Sequence, residues 1–280
     1  MSQPVLLVTG TSSGIGLSTT IAAAGAGFRT VATMRNLEGD GPLRSAAADA
    51  GVDIAIRQLD VTDGTSINAC IDGIIADYGQ LNAVVNNAGS GHVGTIENVS
   101  LDDVRGVMEV NFFGVVAVTK AAMPHLRASK GRVITVSSVG GAVGQPFNEA
   151  YCAAKFAVEG FMESLAPVAG SLGVHVAIVE PGAVTSEFVN NVRVDPAKLF
   201  SEAGPYEPAL QGYITHVMAE FSSDSAQTSD EAAEVVLSVL QAETPALRTQ
   251  TSPWAQSFVG NKLRDLDGSS ILGMTSSWVS

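Results

Sequence analysis

In the stretch AYCAAKFAVEG, residues 150 to 160, Tyr151 and Lys155 stand four positions apart. On a helix this spacing puts a phenol and an ammonium on one face, one turn from each other. A free tyrosine has a pKa near 10 and exchanges protons poorly at neutral pH. An ammonium about 4 Å away would favour the phenolate by roughly 4 kcal/mol at an effective dielectric of about 20, some three pKa units as an upper figure. The pair reads as a device for proton exchange at a substrate oxygen. Taken alone, the segment is more simply a partly buried tyrosine beside a lysine that snorkels to water. The rest of the chain decides.

Three other stretches could serve that chemistry. TGTSSGIG, residues 9 to 16, follows a short apolar run and opens an Ala-rich one. Gly10, Gly14 and Gly16 let the backbone turn sharply and approach a pyrophosphate, whose charge then sits at a helix N-terminus. GRVITVSS (131 to 138) ends on Ser137 and Ser138, and a hydroxyl at the end of a parallel strand faces the ligand crevice. Strand alternation says only that the two serines point opposite ways. Asn111 falls inside an apolar helical run, where an amide must be satisfied, most simply by bonding to the backbone.

These residues need a frame, and the pattern supplies one. Apolar runs at 4–10, 28–34, 52–61, 81–87, 131–138 and 173–182 read as strands. Helical runs separate them: Ile15–Ala26, Pro42–Ala50, Ser66–Tyr78, a long one from about Leu101 to Arg127, and the one carrying Tyr151. Apolar strands alternating with helices mean a parallel sheet covered on both faces. The fold class is α/β, a single doubly wound Rossmann-type domain. We assign the domain to residues 1–250, with 183–228 as a substrate-binding lid and 251–280 as a C-terminal extension. Asp230–Gln241 reads as a last helix, ALRTQ (246–250) as a last strand, and the Ser-rich tail from 252 is weakly patterned.

Composition narrows the partners. With 46% hydrophobic and 15% charged residues over 280 positions, the chain can bury a large core. A net charge of −13 argues against nucleic acid or an anionic membrane as a general partner. Two cysteines, Cys70 and Cys152, make no disulfide framework and point to a reducing compartment. No run reads as a signal or a membrane span, so a cytoplasmic location is the expectation. No metal site is expected.

The glycine spacing is G-x-x-x-G-x-G. Together with NNAG (86–89), Asn111 in NFFG, Ser138, and Tyr151 with Lys155, it resembles the short-chain dehydrogenases/reductases, in the order found in that family. Pro181, Gly182 and Thr185 extend the resemblance over about residues 4 to 186. The resemblance implies hydride transfer between a nicotinamide cofactor and a carbonyl or alcohol. It implies Asn111, Ser138, Tyr151 and Lys155 as the catalytic set, with Ser138 rather than Ser137 bonding the substrate oxygen. Lys155 would also bond the ribose, and Asn111 would hold a water in a proton relay. The implied cofactor contacts are Gly10, Ser12, Ser13, Gly14, Ile15, Gly16, Asp60, Val61, Asn87, Ala88, Gly89, Pro181, Gly182, Val184 and Thr185. Asn86 would be structural. For Asp60, a cap for the following segment is the plainer alternative.

NAD sites keep an acidic residue at the end of strand two for the ribose 2′-hydroxyl. Here Met34 and Arg35 occupy that place. A guanidinium forks onto a 2′-phosphate, so NADP(H) is favoured, with NAD(H) possible through Glu38 or Asp40. The VATMRN strand end and the long C-terminal third look most like 17β-hydroxysteroid and retinol dehydrogenase-like members. The aromatic and aliphatic residues between Thr185 and Phe221, with Val143, Phe147 and His92 opposite, suggest an apolar cleft for a small-molecule apolar carbonyl or alcohol, a bulky uncharged one rather than a sugar or a carboxylate. Extra apolar residues on the 101–127 and Tyr151 helices suggest a homodimer or homotetramer. The rival readings are a catalytically silent NADP-responsive regulatory or scaffold protein of the same fold and an S-adenosylmethionine methyltransferase.

Overall fold

In the computed structural model, residues 3–185, 196–221, 226–264 and 277 are described. Strands β1 (Val5–Thr9), β2 (Arg29–Met34), β3 (Ala55–Gln58), β4 (Ala83–Asn86), β5 (Arg132–Val136), β6 (His175–Glu180) and β9 (Arg248–Gln250) form one sheet. Its order is β3-β2-β1-β4-β5-β6-β9 and every pairing is parallel. The order reverses between β1 and β4, which opens a crevice at their C-terminal ends. Two-residue strands β7 (Val184–Thr185) and β8 (Gln227–Thr228) pair separately.

Alternation along the strands builds two cores. Leu7, Val31, Val84, Val133 and Ile178 face helices α3 (Gly64–Tyr78), α5 (Gly114–Ser129) and α6 (Glu149–Gly170), meeting Ile71, Val118, Leu126, Val158 and Met162. Leu6, Val8, Val85, Ile134 and Val179 face the other way, onto Ala23 of α1 (Gly14–Gly25) and Val236 of α9 (Ser229–Gln241). With both faces covered, the strands are apolar throughout, which is why they stand out in the sequence. Helix α2 (Gly41–Ala50) packs Leu43 against Met34. The C-terminal part adds α7 (Pro196–Ser201), α8 (Glu207–Phe221) and α10 (Pro253–Arg264).

Three details differ from the sequence reading. The third strand is shorter than 52–61, because Asp60 ends it by accepting bonds from the Thr62 amide and hydroxyl. The long helix runs from α4 (Leu101–Met108), started by a Ser100/Asp103 capping box, through a π turn at Glu109–Phe113 into α5. Leu101–Ser129 is therefore long and apolar enough, by length and composition alone, to cross a membrane, contrary to the expectation of no such stretch; its inward residues Val115, Val118, Ala122 and Leu126 are core. The weakly patterned tail supplies α10, whose Ala255, Phe258 and Val259 are buried against Val139 and Val143.

Candidate active site

The glycine-rich turn is shaped by close approach. A Cβ at Gly10, which has φ 71°, would lie 2.7 Å from the Ala88 Cα; one at Gly16 would collide with Asn87 Nδ2 and the Gly10 carbonyl. Only glycine fits, and the chain can bend tightly onto α1. No side chain caps the α1 N-terminus and its first turn holds no acid, so its amides are open to an anion. A dinucleotide pyrophosphate fits this cradle. Asn87 locks it, donating to the Thr9 and Gly10 carbonyls at 3.0 and 2.9 Å. Its amide nitrogen therefore works on the turn, while exposed Gly89 and half-buried Ala88 form the rim. Asn86 ties β4 inward by donating to Thr119 Oγ1 at 3.0 Å. Ser12 is exposed and Ser13 half-buried at the mouth of the turn, whereas Ile15 packs onto the sheet.

Ser138 follows β5 in extended backbone and caps a short 3₁₀ turn, Val139–Gly141, by accepting from the Gly140 amide at 3.0 Å. The Tyr151 phenol is hydrogen-bonded to Ser138. A Cβ at Gly140 would sit 3.4 Å from both Ser138 Oγ and Tyr151 Cε1, so that glycine leaves room for the pair. Removal from water pushes the phenol well above its ordinary pKa, with the Ser138 bond opposing. Desolvation outweighs the Ser138 bond, a direction opposite to the lowering expected from the ammonium. Lys155 is buried, donates to the Val136 carbonyl at 3.0 Å and lies 5.7 Å from the Tyr151 ring centre. Burial pulls its pKa down to about 8, against the Glu159 carboxylate, which holds it up.

Asn111 is fully buried inside the π turn. It donates to the carbonyls of Ser90 and Val107 at 2.9 and 3.0 Å and accepts from the Ser90 amide at 3.2 Å. Its Oδ1 and Lys155 Nζ converge on Gly89, at 2.9 and 3.8 Å from the position of a Cβ there. The structure therefore brings Ser138, Tyr151, Lys155 and Asn111 to one end of the sheet, from three different elements.

At the far end of the crevice, Met34 is buried and Arg35 exposed. Arg35 lines an open groove of about 560 Å³ with Arg57, Gln58, Asp60 and Ser66, and Tyr151 is not part of its lining. Among the described residues no carboxylate pairs with its guanidinium. Asp60 spends Oδ1 on Thr62, while Asp63, not Asp60, caps α3. Val61 is buried against Gly114. Beyond β6, Pro181 accepts from the Val139 amide at 2.9 Å and Gly182 lies under the Trp254 ring. Val184 and Thr185 form β7.

Over the catalytic end, buried Phe147, Ala203, Leu210 and Tyr213 pack with Val93, Phe200 and Tyr206. Phe147 holds φ 58°, a left-handed conformation that costs a side chain about 1–3 kcal/mol. Val143, expected in this wall, packs instead under α10 with Val139 and Phe258. Asn148 donates to the Tyr213 hydroxyl at 2.5 Å. Phe188 and Trp278 lie outside the described residues.

The profile of the short chain dehydrogenases matches residues 4–197. The chain belongs to this family. It is 36% identical over 278 residues to 17-beta-hydroxysteroid dehydrogenase type 1 of Homo sapiens, covering 96% of this chain and 84% of that protein. It is 35% identical to retinol dehydrogenase 8 of Bos taurus, covering 94% and 86%. A short chain dehydrogenase/reductase from Burkholderia phymatum, solved in complex with NAD, superposes with a TM-score of 0.81 at 22% identity over 95% of each chain and shares the fold.

As a short chain dehydrogenase the protein is an oxidoreductase of alcohols and ketones. Two parts of its site escaped the sequence reading. Helix α10 backs Gly182 and the Ser138 turn, and its only sequence signal was a pair of aromatics, Trp254 and Phe258, stacked here at 4.9 Å. The other is a buried acidic cluster behind Lys155, signalled by Glu159 continuing the Tyr151–Lys155 spacing by four.

Proposed function

We propose that this dehydrogenase uses NADP(H) to interconvert a bulky apolar ketone or aldehyde and its alcohol. The observation that carries the reading is the Tyr151 phenol hydrogen-bonded to Ser138 at the sheet's C-terminal end, with Lys155 one turn on. When bound, the cofactor supplies hydride-donating or hydride-accepting chemistry. Ser138 orients the substrate oxygen, and Tyr151 donates a proton to it in reduction and takes one back in oxidation. Lys155 favours the phenolate that remains and bonds the ribose. Asn111 fixes the Ser90 loop beside Lys155 and marks the way out for the proton.

Arg35, unpaired among the described residues, and the lack of an acid at the end of β2 support a 2′-phosphate. The Phe147–Leu210–Tyr213 wall supports a bulky apolar substrate, and the steroid and retinol dehydrogenase relatives fit that class. Residues 183–228 serve as its lid. Half-exposed Phe113 and Phe156, at 50% and 39%, support self-association through the π turn that leads into α5 and through α6. Turnover followed by NADPH absorbance against a carbonyl panel tests the reading. Bulky uncharged ketones should give the highest kcat/KM, and a sugar or an anionic 3-oxoacyl thioester in first place would overturn it.

A further inference from the structure

Glu159 lies one turn beyond Lys155 on α6, as Lys155 lies one turn beyond Tyr151. It is buried, and Glu180 at the end of β6 is 0% exposed. Arg248 on β9 reaches both: its Nε lies 2.9 Å from Glu159 Oε2 and 3.6 Å from Glu180 Oε1, while its outer nitrogen holds Glu163 at the surface at 2.7 Å. Gln250 donates to Glu180 Oε2 at 2.5 Å. Ser137, just after β5, completes the cluster: a Cβ at Gly141 would be 2.7 Å from Ser137 Oγ and 3.3 Å from Glu159 Oε1. These are the groups facing the two acids, from α6, β5, β6 and β9.

Three oxygens of this cluster, Glu159 Oε1, Glu180 Oε1 and Ser137 Oγ, are buried with no hydrogen-bond partner among the described residues. Such atoms are costly in a low-dielectric interior. One guanidinium, partly spent on Glu163, also faces two buried carboxylates, and an uncompensated buried charge costs several kcal/mol. A single proton shared by the two carboxyls removes both faults. It cancels the surplus charge and supplies the missing donor. Desolvation, with the nearby Glu159 charge adding to it, holds the Glu180 carboxyl well above the ordinary carboxylate range.

We propose that Glu159 and Glu180 form a one-proton acid pair that governs the charge of Lys155, with Glu159 the positioning residue and Glu180 the proton store. The proposal rests on the reading of Tyr151 and Lys155 as the proton-exchange pair. As pH rises the shared proton leaves and Glu159 gains its full charge. That charge then holds Lys155 as an ammonium where burial alone would strip it. As pH falls the pair takes the proton back, when Lys155 is charged without help.

The pH profile of kcat at saturating cofactor tests this in wild type, Glu159→Gln and Glu180→Gln. In Glu159→Gln the alkaline fall should move to lower pH by about one unit. In Glu180→Gln, where Glu159 stays ionised, it should stay or move higher. Profiles that coincide, or that move together, would overturn the proposal, since a merely structural brace lowers stability without splitting the two variants. Should either variant fail to fold, infrared titration of the wild type decides. A protonated buried carboxyl should persist at mildly acidic pH and vanish on the alkaline side, and full ionisation throughout would sink the idea. Tyr151→Phe separates the two levels: if it retains turnover, the site reading itself fails, whereas an inactive Tyr151→Phe with unsplit profiles removes only the acid pair.

Discussion

The ring of Trp254 lies directly over Gly182, so close that a Cβ on the glycine would stand 2.9 Å from the indole Cε3. A helix near the end of the described chain thus presses on the strand exit that carries the family's Pro-Gly pair. Trp254→Ala should cost about 2–3 kcal/mol, less than the roughly 3–5 typical of a fully buried tryptophan, because this ring is only half covered. Urea denaturation reads the cost, and the KM for cofactor should rise with it. An unchanged KM would separate α10 from the site.

Tyr151→Phe removes one oxygen and keeps the ring. Turnover should fall by orders of magnitude while cofactor titration stays close to wild type. Lys155→Ala should weaken both, since it loses a charge beside Tyr151 and the proposed ribose contact. Retained turnover in Tyr151→Phe would refute the assigned chemistry.

Arg35→Ala should raise the KM for NADPH far more than that for NADH. Adding Met34→Asp should turn the preference toward NADH, because a carboxylate there repels a 2′-phosphate and accepts from a 2′-hydroxyl. Equal effects on both cofactors would place Arg35 outside the 2′ site.

Stability should carry the sign of the buried acid. Glu180 holds its proton more tightly folded than unfolded, so its contribution is full at acid pH and is lost as pH rises from the ordinary carboxylate range toward neutrality. Relative to wild type, Glu180→Gln should therefore gain stability as pH rises through that window. Lys155 works oppositely: its folded value of about 8 lies below the ordinary 10.5, so its burial cost is relieved as pH rises between those values. Urea midpoints across pH would expose both, and a flat difference between wild type and Glu180→Gln would contradict the first.

Phe113→Glu with Phe156→Glu should yield a monomer by light scattering at a concentration where wild type is a dimer or larger. A wild type already monomeric at micromolar concentration would defeat the assembly proposal.

The sheet was legible because strands covered on both faces are apolar throughout, and LLV or VIT stands out against any helix. The Tyr151–Lys155 face was legible from spacing alone. The π turn at Asn111 was not, since one extra residue in a helix leaves no compositional trace; nor was α10, whose three buried residues are diluted by polar neighbours. The acidic cluster was hidden for another reason. Glu and Arg are presumed to face water, and only the pairing of β6 with β9 brings Glu180, Gln250 and Arg248 together.

That pairing also sets an order of assembly. Synthesis delivers the chain from its N-terminus, so β6 and the whole Tyr151 helix leave the ribosome before Arg248 exists. Until β9 docks on Ile178–Glu180, Glu159 and Glu180 face each other without their guanidinium, and the floor beneath the reacting residues is unfinished. A nascent chain halted before residue 248 holds every residue proposed for catalysis and lacks the counter-charge that lets them settle. Competence waits on a strand of three residues.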